Sequence, residues 1–220
     1  MATVPVPGPH GPLTTEPRGH RDPEFLEAKQ ARWFEPHVAP VNALVQEIAR
    51  MVGGDVPYVD PDCGGVNARV LLVLEAPAGA AAHGSRMLSA DNDDGTAANV
   101  WRAYEHAGLP REWGMHWNAV PWYLGVRGKI AAAKAHDVEQ GREWLLRLVD
   151  LLPELSVILC LGNAARDAVS PEKGELEARG LTLISAPHPS QRVYNVTKGV
   201  AKVKVHAAFV EARRRASTTR

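Results

Sequence analysis

The sequence ARVLLVLEAP, residues 68–77, decides the fold class. Its apolar residues follow one another without alternation, as in a strand that is buried on both faces of a sheet. Three later segments also predict strands: MHWNAVPW (115–122), which Pro121 cuts off, SVILCLG (156–162) and GLTLISAP (180–187). The chain therefore predicts a sheet of four strands.

Helical periodicity fills the segments between these strands. The predicted helices are two within 23–53, split near Pro36–Pro40, and one each at 95–109, 137–155, 163–169 and 197–217. Alternation of strands and helices predicts a parallel sheet with helices on both faces.

The domain organisation follows from composition along the chain. Residues 1–22 are rich in proline and glycine and lack hydrophobic periodicity, so they are predicted to form a flexible leader. Residues 23–217 are predicted to form a single domain, and 218–220 a short tail.

Overall composition excludes several classes of protein. The formal net charge is zero, which argues against a wholly basic surface but permits a local phosphate-binding patch. The two cysteines, Cys63 and Cys160, are too few for a disulfide scaffold or a four-thiolate cluster, and Cys160 is expected to be a buried thiol. No signal peptide or membrane-length apolar run is present, so we expect a soluble, cytoplasmic protein.

Polar residues follow each predicted strand. These segments are Glu75-Ala76-Pro77, Asn118-Ala119-Val120-Pro121, Gly162-Asn163 and Pro187-His188-Pro189-Ser190. The carboxyl ends of parallel strands share one edge of the sheet, where ligands bind. A carboxylate, an amide, a glycine turn and an imidazole are therefore expected to converge on one site.

Three of these segments resemble motifs of the uracil-DNA glycosylase superfamily: LEAPAG, WNAVPW and APHPSQRVYN, within about residues 68–210. The resemblance implies a three-layer α/β/α sandwich around a four-stranded parallel sheet. It also implies an enzyme that flips a nucleotide out of DNA and cleaves its N-glycosidic bond. DNA is the expected partner, and the protein is expected to act as a monomer without a cofactor or metal ion.

The resemblance implies a role for each polar strand end. Glu75 would orient or deprotonate the attacking water, His188 would donate a hydrogen bond to the leaving base, and Asn118 would read its polar edge. Backbone N–H groups at Ala76 and around Gly79 would help to bind the base or a phosphate. Contacts with DNA are expected from Ser190, Gln191, Arg192, Tyr194, Gly162 and Asn163, with Arg192 or Tyr194 as the wedge that fills the gap in the duplex.

The sequence departs from the family pattern in four ways. Two distant cysteines cannot hold the iron–sulfur cluster of some branches. No Phe, Tyr or Trp lies between Glu75 and Trp101, so Met87 or Leu88 is expected to form the wall against the base. Gln191 replaces the proline that commonly follows the HPS motif. The arginine-rich insert of a covalent-trapping branch is absent, which favours hydrolysis by water.

The acidic run DNDD at 91–94 has two interpretations. It does not fit a calcium loop, because Arg102 stands where a bidentate glutamate belongs. It either caps the helix that follows or lines the base pocket, with Asp91 and Asn92 as candidates. A polar pocket without a stacking ring would admit a bulky modified cytosine, such as a hydroxymethylated or glucosylated base of phage DNA in antiviral defence. Uracil repair is the equal alternative, because an amide such as that of Asn118 can turn to read either base.

Two other functions remain open on the same residues. One is a hydrolase of free nucleosides or nucleotides, and the other is a DNA-binding module without catalysis. Lysines and arginines outnumber acids from Arg192 to Arg220, where Glu211 is the only acid. This helix and tail either lie along the phosphate backbone or form a solvated surface.

Overall fold

The computed structural model describes residues 14–125 and 131–218. Its centre is a parallel four-stranded sheet in the order β4-β2-β5-β6. The strands are β2 (Val70–Leu74), β4 (Gly114–Asn118), β5 (Val157–Leu161) and β6 (Thr182–Ala186), and a separate parallel pair joins β1 (Tyr58–Val59) to β3 (Met87–Leu88). All four predicted strands are confirmed, each to within a few residues.

Helices cover both faces of the sheet. They are α1 (Pro23–Gln30), α2 (Ala39–Val52), α3 (Gly95–Ala107), α4 (Ala135–Asp150), α5 (Asn163–Val169), α6 (Lys173–Ala178), α7 (Gln191–Val196) and α8 (Val200–Thr218). Short 3₁₀ turns lie at Gly19–Arg21, Gly65–Asn67, Arg111–Trp113 and Ser170–Glu172, and a π-helical turn at Ala80–Gly84. The predicted α/β/α architecture is confirmed.

Two hydrophobic cores explain why the central strands β2 and β5 are apolar throughout. Alternate strand residues point to opposite faces: Leu71 and Val73 join the core beneath α2, α4 and α5, whereas Val70 and Leu72 join the core beneath α3 and α8. A strand covered on both faces needs an apolar side chain at every position.

The N-terminal segment 14–22 packs against the loop that follows β3. The Thr14 hydroxyl donates to Asp91 Oδ1 at 3.0 Å, and the His20 backbone N–H donates to the Asp91 carbonyl at 3.0 Å. His20 is buried, and its Nδ1 lies 2.8 Å from Asn92 Oδ1. The predicted boundary between leader and domain at residue 22 therefore lies inside a packed segment, while residues 1–13, like 219–220 of the predicted tail, lie outside the described residues.

Both cysteines, Cys63 and Cys160, are buried free thiols, as expected for Cys160. Burial raises the pKa of each thiol to about 12. Among the described residues, no helix combines the length and the apolar character that crossing a bilayer demands.

Candidate active site

A cavity opens at the carboxyl edge of the sheet, where the polar strand ends were expected to converge. Including its open mouth it encloses about 600 Å³. Its polar lining comes from Ser89, Asn92, Asp94, Thr96, His116, Trp117, Asn118 and His188. Ala76, Leu88 and other apolar side chains complete the wall. The cavity can therefore hold a largely apolar ring with a polar edge.

His188 follows β6 and lies between two prolines, which limit the backbone around it. Its side chain packs against Gly162, where a Cβ atom would lie 3.2 Å from His188 Cβ, and Gly162 has a φ of +105° that side-chain-bearing residues rarely adopt. Burial lowers the pKa of His188 below its ordinary value, although Glu75 and Asp94 oppose this effect. The imidazole is therefore neutral at pH 7 and can offer one N–H to a ligand.

Glu75 is the first residue after β2, and it is half-buried. Its Oε1 accepts a hydrogen bond of 2.9 Å from the Ala133 backbone N–H. Its carboxylate lies in an adjoining open cavity with Arg142 and Asn163, while its neighbour Ala76 lines the main cavity. The negative charge of Glu75 raises the pKa of His188, so the carboxylate and the imidazole interact electrostatically although they line different cavities.

Asn118 ends β4 and is only 3% exposed. It pairs in register with Leu74, and the following N–H groups of Ala119 and Val120 donate to the Leu74 and Glu75 carbonyls. Within the described part of the chain, Asn118 Nδ2 has no hydrogen-bond partner. A buried amide without a partner is costly, and this one lines a cavity in which a ligand could satisfy it.

The loop after β3 differs from its predicted role. The amide of Asn92 lines the cavity, but Nδ2 donates to the Met87 carbonyl at 2.9 Å and Oδ1 contacts His20 and Ser85. Asp91 does not line the cavity, because its carboxylate is held by Lys29 and Arg111. These two predicted base-binding residues are thus engaged with protein groups instead of facing the cavity with free atoms.

A buried ion cluster holds Asp91. The Lys29 ammonium, 2% exposed, lies 2.7 Å from Asp91 Oδ2, 2.9 Å from Asp60 Oδ2 and 3.0 Å from Asp62 Oδ2. Arg111 Nη2 also contacts Asp91 Oδ2 at 3.0 Å. Burial would lower the pKa of Lys29, but the three carboxylates raise it above its ordinary value. Lys29 is therefore charged, and it binds α1 to the loop beneath the cavity.

Asp94 combines both interpretations of the acidic run. Its Oδ1 accepts hydrogen bonds of 2.8 and 2.9 Å from the N–H groups of Thr96 and Ala97, so it caps α3. It also lines the cavity and raises the pKa of His188. Asp93, by contrast, is exposed and contacts Arg21 at 2.8 Å.

The wall of the cavity is only partly as predicted. Leu88 lines it, whereas Met87 is fully buried outside it and Gly79 lies before the π-helical turn, away from the lining. The aromatic groups His116 and Trp117 of β4 line it instead. They were not predicted, because a stacking ring was expected in the segment between Glu75 and Trp101, whereas these two residues directly precede Asn118 on the neighbouring strand.

The predicted DNA-contacting residues occupy different environments. The Ser190 hydroxyl accepts from the Val193 N–H at 3.3 Å and caps α7, whose first residues Gln191 and Arg192 are exposed. Tyr194 is only 6% exposed and packs in the core beneath α3 and α8. A buried ring cannot enter a duplex, so Arg192 is the one of the two predicted wedge residues that is accessible.

A match to a protein family agrees with the motifs. The family model of the Uracil DNA glycosylase superfamily matches residues 61–214, well over half of the chain. No curated protein matches this chain. The solution structure of a proposed uracil DNA glycosylase from Methanosarcina acetivorans is 14% identical, with a TM-score of 0.41 over 66% of this chain and 91% of that chain. The crystal structure of wild-type SMUG2 from Pedobacter heparinus is 12% identical, with a TM-score of 0.48 over 83% and 85% of the respective chains. By its family match, this chain belongs to the uracil DNA glycosylase superfamily.

Proposed function

We propose that the protein is a DNA glycosylase that flips a pyrimidine nucleotide out of DNA and hydrolyses its N-glycosidic bond, leaving an abasic site. Family membership supports this activity. The observation that carries it is Asn118 Nδ2, which has no hydrogen-bond partner among the described residues and belongs to the same cavity wall as His188. Glu75 lines the adjoining cavity, and its charge acts on His188.

The chemistry requires charge stabilisation at two places. As the bond between C1′ and the base breaks, its electron pair leaves with the base and positive charge develops on the sugar. Glu75 stabilises that cation and takes a proton from the water whose oxygen attacks C1′. The Ala133 N–H on Oε1 fixes the carboxylate and leaves Oε2 for the water.

The departing base carries the negative charge. The neutral His188 donates a hydrogen bond to the base oxygen where this charge develops, and one such donor contributes about 3–4 kcal/mol. The prolines on either side and the contact with Gly162 hold the ring in place before the base arrives. Asn118 pairs with the polar edge of the base, which helps to offset the few kcal/mol that flipping costs.

The decisive experiment is excision from labelled DNA by wild type, Glu75→Gln and Glu139→Gln. Glu139 is an exposed residue of α4 and serves as the matched control. We expect Glu75→Gln to bind DNA but to excise at least about 100-fold more slowly, the usual lower range for losing a general base. Equal rates for the two variants would remove Glu75 from the mechanism. Release of bases from free nucleosides but not from DNA would favour a nucleoside hydrolase.

The substrate is proposed to be uracil or a modified cytosine, and Asp94 favours the second. Asp94 lines the cavity, and its Oδ1 is occupied by two backbone N–H groups. We infer that Oδ2, which only accepts hydrogen bonds, is the atom that Asp94 offers to a ligand. The exocyclic amine of cytosine and the hydroxyl of a hydroxymethyl group are donors that a carboxylate can accept. A carboxylate therefore suits hydroxymethylcytosine better than the oxygen-rich edge of uracil.

A pair of neighbouring variants tests this preference. Asp94→Asn is expected to lower excision of hydroxymethylcytosine relative to uracil, whereas Asp93→Asn, outside the cavity, is expected to leave the ratio unchanged. An unchanged ratio in Asp94→Asn would remove the support for modified cytosine. Cleavage of uracil with no cleavage of the modified base would end the defence hypothesis.

A further inference from the structure

A second concavity lies beside the candidate active site, between α3 and the turn that joins α7 to α8. Including its open mouth it encloses about 910 Å³. We call it the α3–α8 groove. Its lining consists of Asn99, Arg102, Gln191, Tyr194, Asn195, Lys198, Gly199 and Lys202.

The α3–α8 groove is lined by cations without counter-charges. Arg102, Lys198 and Lys202 border it, and within the described part of the chain no carboxylate belongs to its lining. The formal net charge of the chain is zero, so this is a local concentration of positive charge. Lys198 has a left-handed backbone (φ 48°) in the turn before α8, a conformation that non-glycine residues seldom adopt. Because the charged groups of its lining are all cations, the α3–α8 groove suits an anion.

The α3–α8 groove is physically continuous with the active-site turn. Asn99 Nδ2, on α3, donates to the Pro189 carbonyl at 2.9 Å, next to His188. Gln191 belongs to the groove and directly follows Ser190. A nucleic acid strand with one nucleotide in the main cavity at His188 would therefore have its neighbouring nucleotides close to the α3–α8 groove.

The lining indicates which part of a nucleic acid it would contact. Tyr194 is its only aromatic residue among those described, and it is 6% exposed. No exposed ring is therefore available here for stacking on bases, as single-strand binding surfaces commonly require. Arginine and lysine side chains instead match phosphate oxygens, which are contacted independently of sequence.

We propose that the α3–α8 groove binds backbone phosphates of the DNA strand that flanks the flipped nucleotide, through Arg102, Lys198 and Lys202. The proposal rests on the proposed function and extends it, because it adds a phosphate-binding surface outside the base pocket. It also gives a sequence-independent contact that would hold the enzyme on DNA while a base is flipped.

The test measures binding to a short duplex that contains a tetrahydrofuran abasic analogue, at several salt concentrations. Each phosphate contact contributes about 0.9 to the slope of log K against log salt. Arg102→Gln, Lys198→Gln and Lys202→Gln are each expected to weaken binding and to reduce that slope by about 1. Circular dichroism establishes that each variant is folded.

Lys204→Gln is the matched control. Lys204 is exposed on α8 and outside the groove lining, and two residues along a helix turn the side chain by about 200° from Lys202. It removes the same charge from the same helix and is expected to change the slope by less than half as much. Shortening the duplex on the side that enters the groove should abolish the difference between wild type and Lys202→Gln.

The outcomes separate two failures. If the wild-type protein binds neither duplex nor single-stranded DNA, the proposed function fails. If it binds DNA and the groove variants match Lys204→Gln in affinity and slope, the groove proposal is overturned while the proposed function stands.

Discussion

Replacing Lys29 by methionine should destabilise the protein far more than any exposed lysine change. The substitution keeps the apolar stem but removes the ammonium that lies within 3.0 Å of Asp60, Asp62 and Asp91. The side chains of all three aspartates are at most 5% exposed. Arg111 still contacts Asp91 and Arg32 still contacts Asp62 in this variant, but within the described part of the chain Asp60 has no second ion pair. Breaking a buried ion pair by removing one partner costs about 3–5 kcal/mol, because the charge of the other partner stays buried.

The expected change in thermal stability follows from chain length. For chains of this size, 1 kcal/mol shifts Tm by about 2–4 °C, so Lys29→Met should lower Tm by about 6–20 °C. Lys173 lies 3.8 Å from Glu177 on the surface and provides the control. Lys173→Met is expected to change the unfolding free energy by less than about 0.5 kcal/mol. Urea unfolding at pH 7, with Tm by calorimetry, measures both variants.

The pH dependence identifies the cause. Burial would raise the pKa of Asp60, but Lys29 and Arg111 lower it well below its ordinary value. Its contribution to wild-type stability is therefore present above pH about 4 and lost as the pH falls below that value. Without Lys29 the aspartates are protonated more readily, so the difference between wild type and Lys29→Met should shrink in acid. A loss no larger than that of Lys173→Met, or one independent of pH, would refute the argument.

Three further predictions concern Gly162, His116 and the two cysteines. Gly162→Ala should slow excision and lower stability, because the new Cβ would lie 3.2 Å from His188 Cβ and residue 162 has a φ of +105°. Single-turnover kinetics and urea unfolding measure the two effects. An excision rate for Gly162→Ala equal to that of wild type would show that His188 tolerates the contact. Burial lowers the pKa of His116 from 6.5 to about 4, so the unfolding free energy should fall by up to about 3 kcal/mol as the pH drops from 6.5 to 4. His116→Asn should flatten this dependence of the unfolding free energy on pH. An equally steep dependence in the variant would assign the effect to another group. Cys63 and Cys160, with pKa values raised to about 12, should resist Ellman's reagent at pH 8 in the folded protein and react after unfolding, and rapid labelling of native protein would contradict their burial.

The sheet was predictable because its information is local. Each central strand is a short apolar run, and a strand covered on both faces requires such a run. The positions of Glu75, Asn118 and His188 at one edge follow from the parallel topology, since each of them ends or follows a strand. Knowing the strands was sufficient to place these three residues on one side of the molecule.

The loop after β3 was not predictable in the same way. Lys29 and Asp91 are 62 residues apart, and their pairing is a tertiary contact that no local pattern encodes. Asp91, Asp93 and Asp94 have the same side chain but different environments. Asp91 is buried in an ion pair with Lys29, Asp93 is exposed and Asp94 caps α3. Tyr194 was likewise expected at a DNA surface from its position after the HPS motif, but α7 turns its ring into the core.

The anchoring of the cavity floor by Lys29 and His20 bears on how this protein can be shortened. Both residues precede position 61, where the match to the family begins. A fragment cut to residues 61–214 would leave Asp62 and Asp91 without Lys29, and Asn92 without His20, so it should fold poorly. We therefore expect the unit that folds to include the packed segment from Thr14 onward, ahead of the residues that match the family.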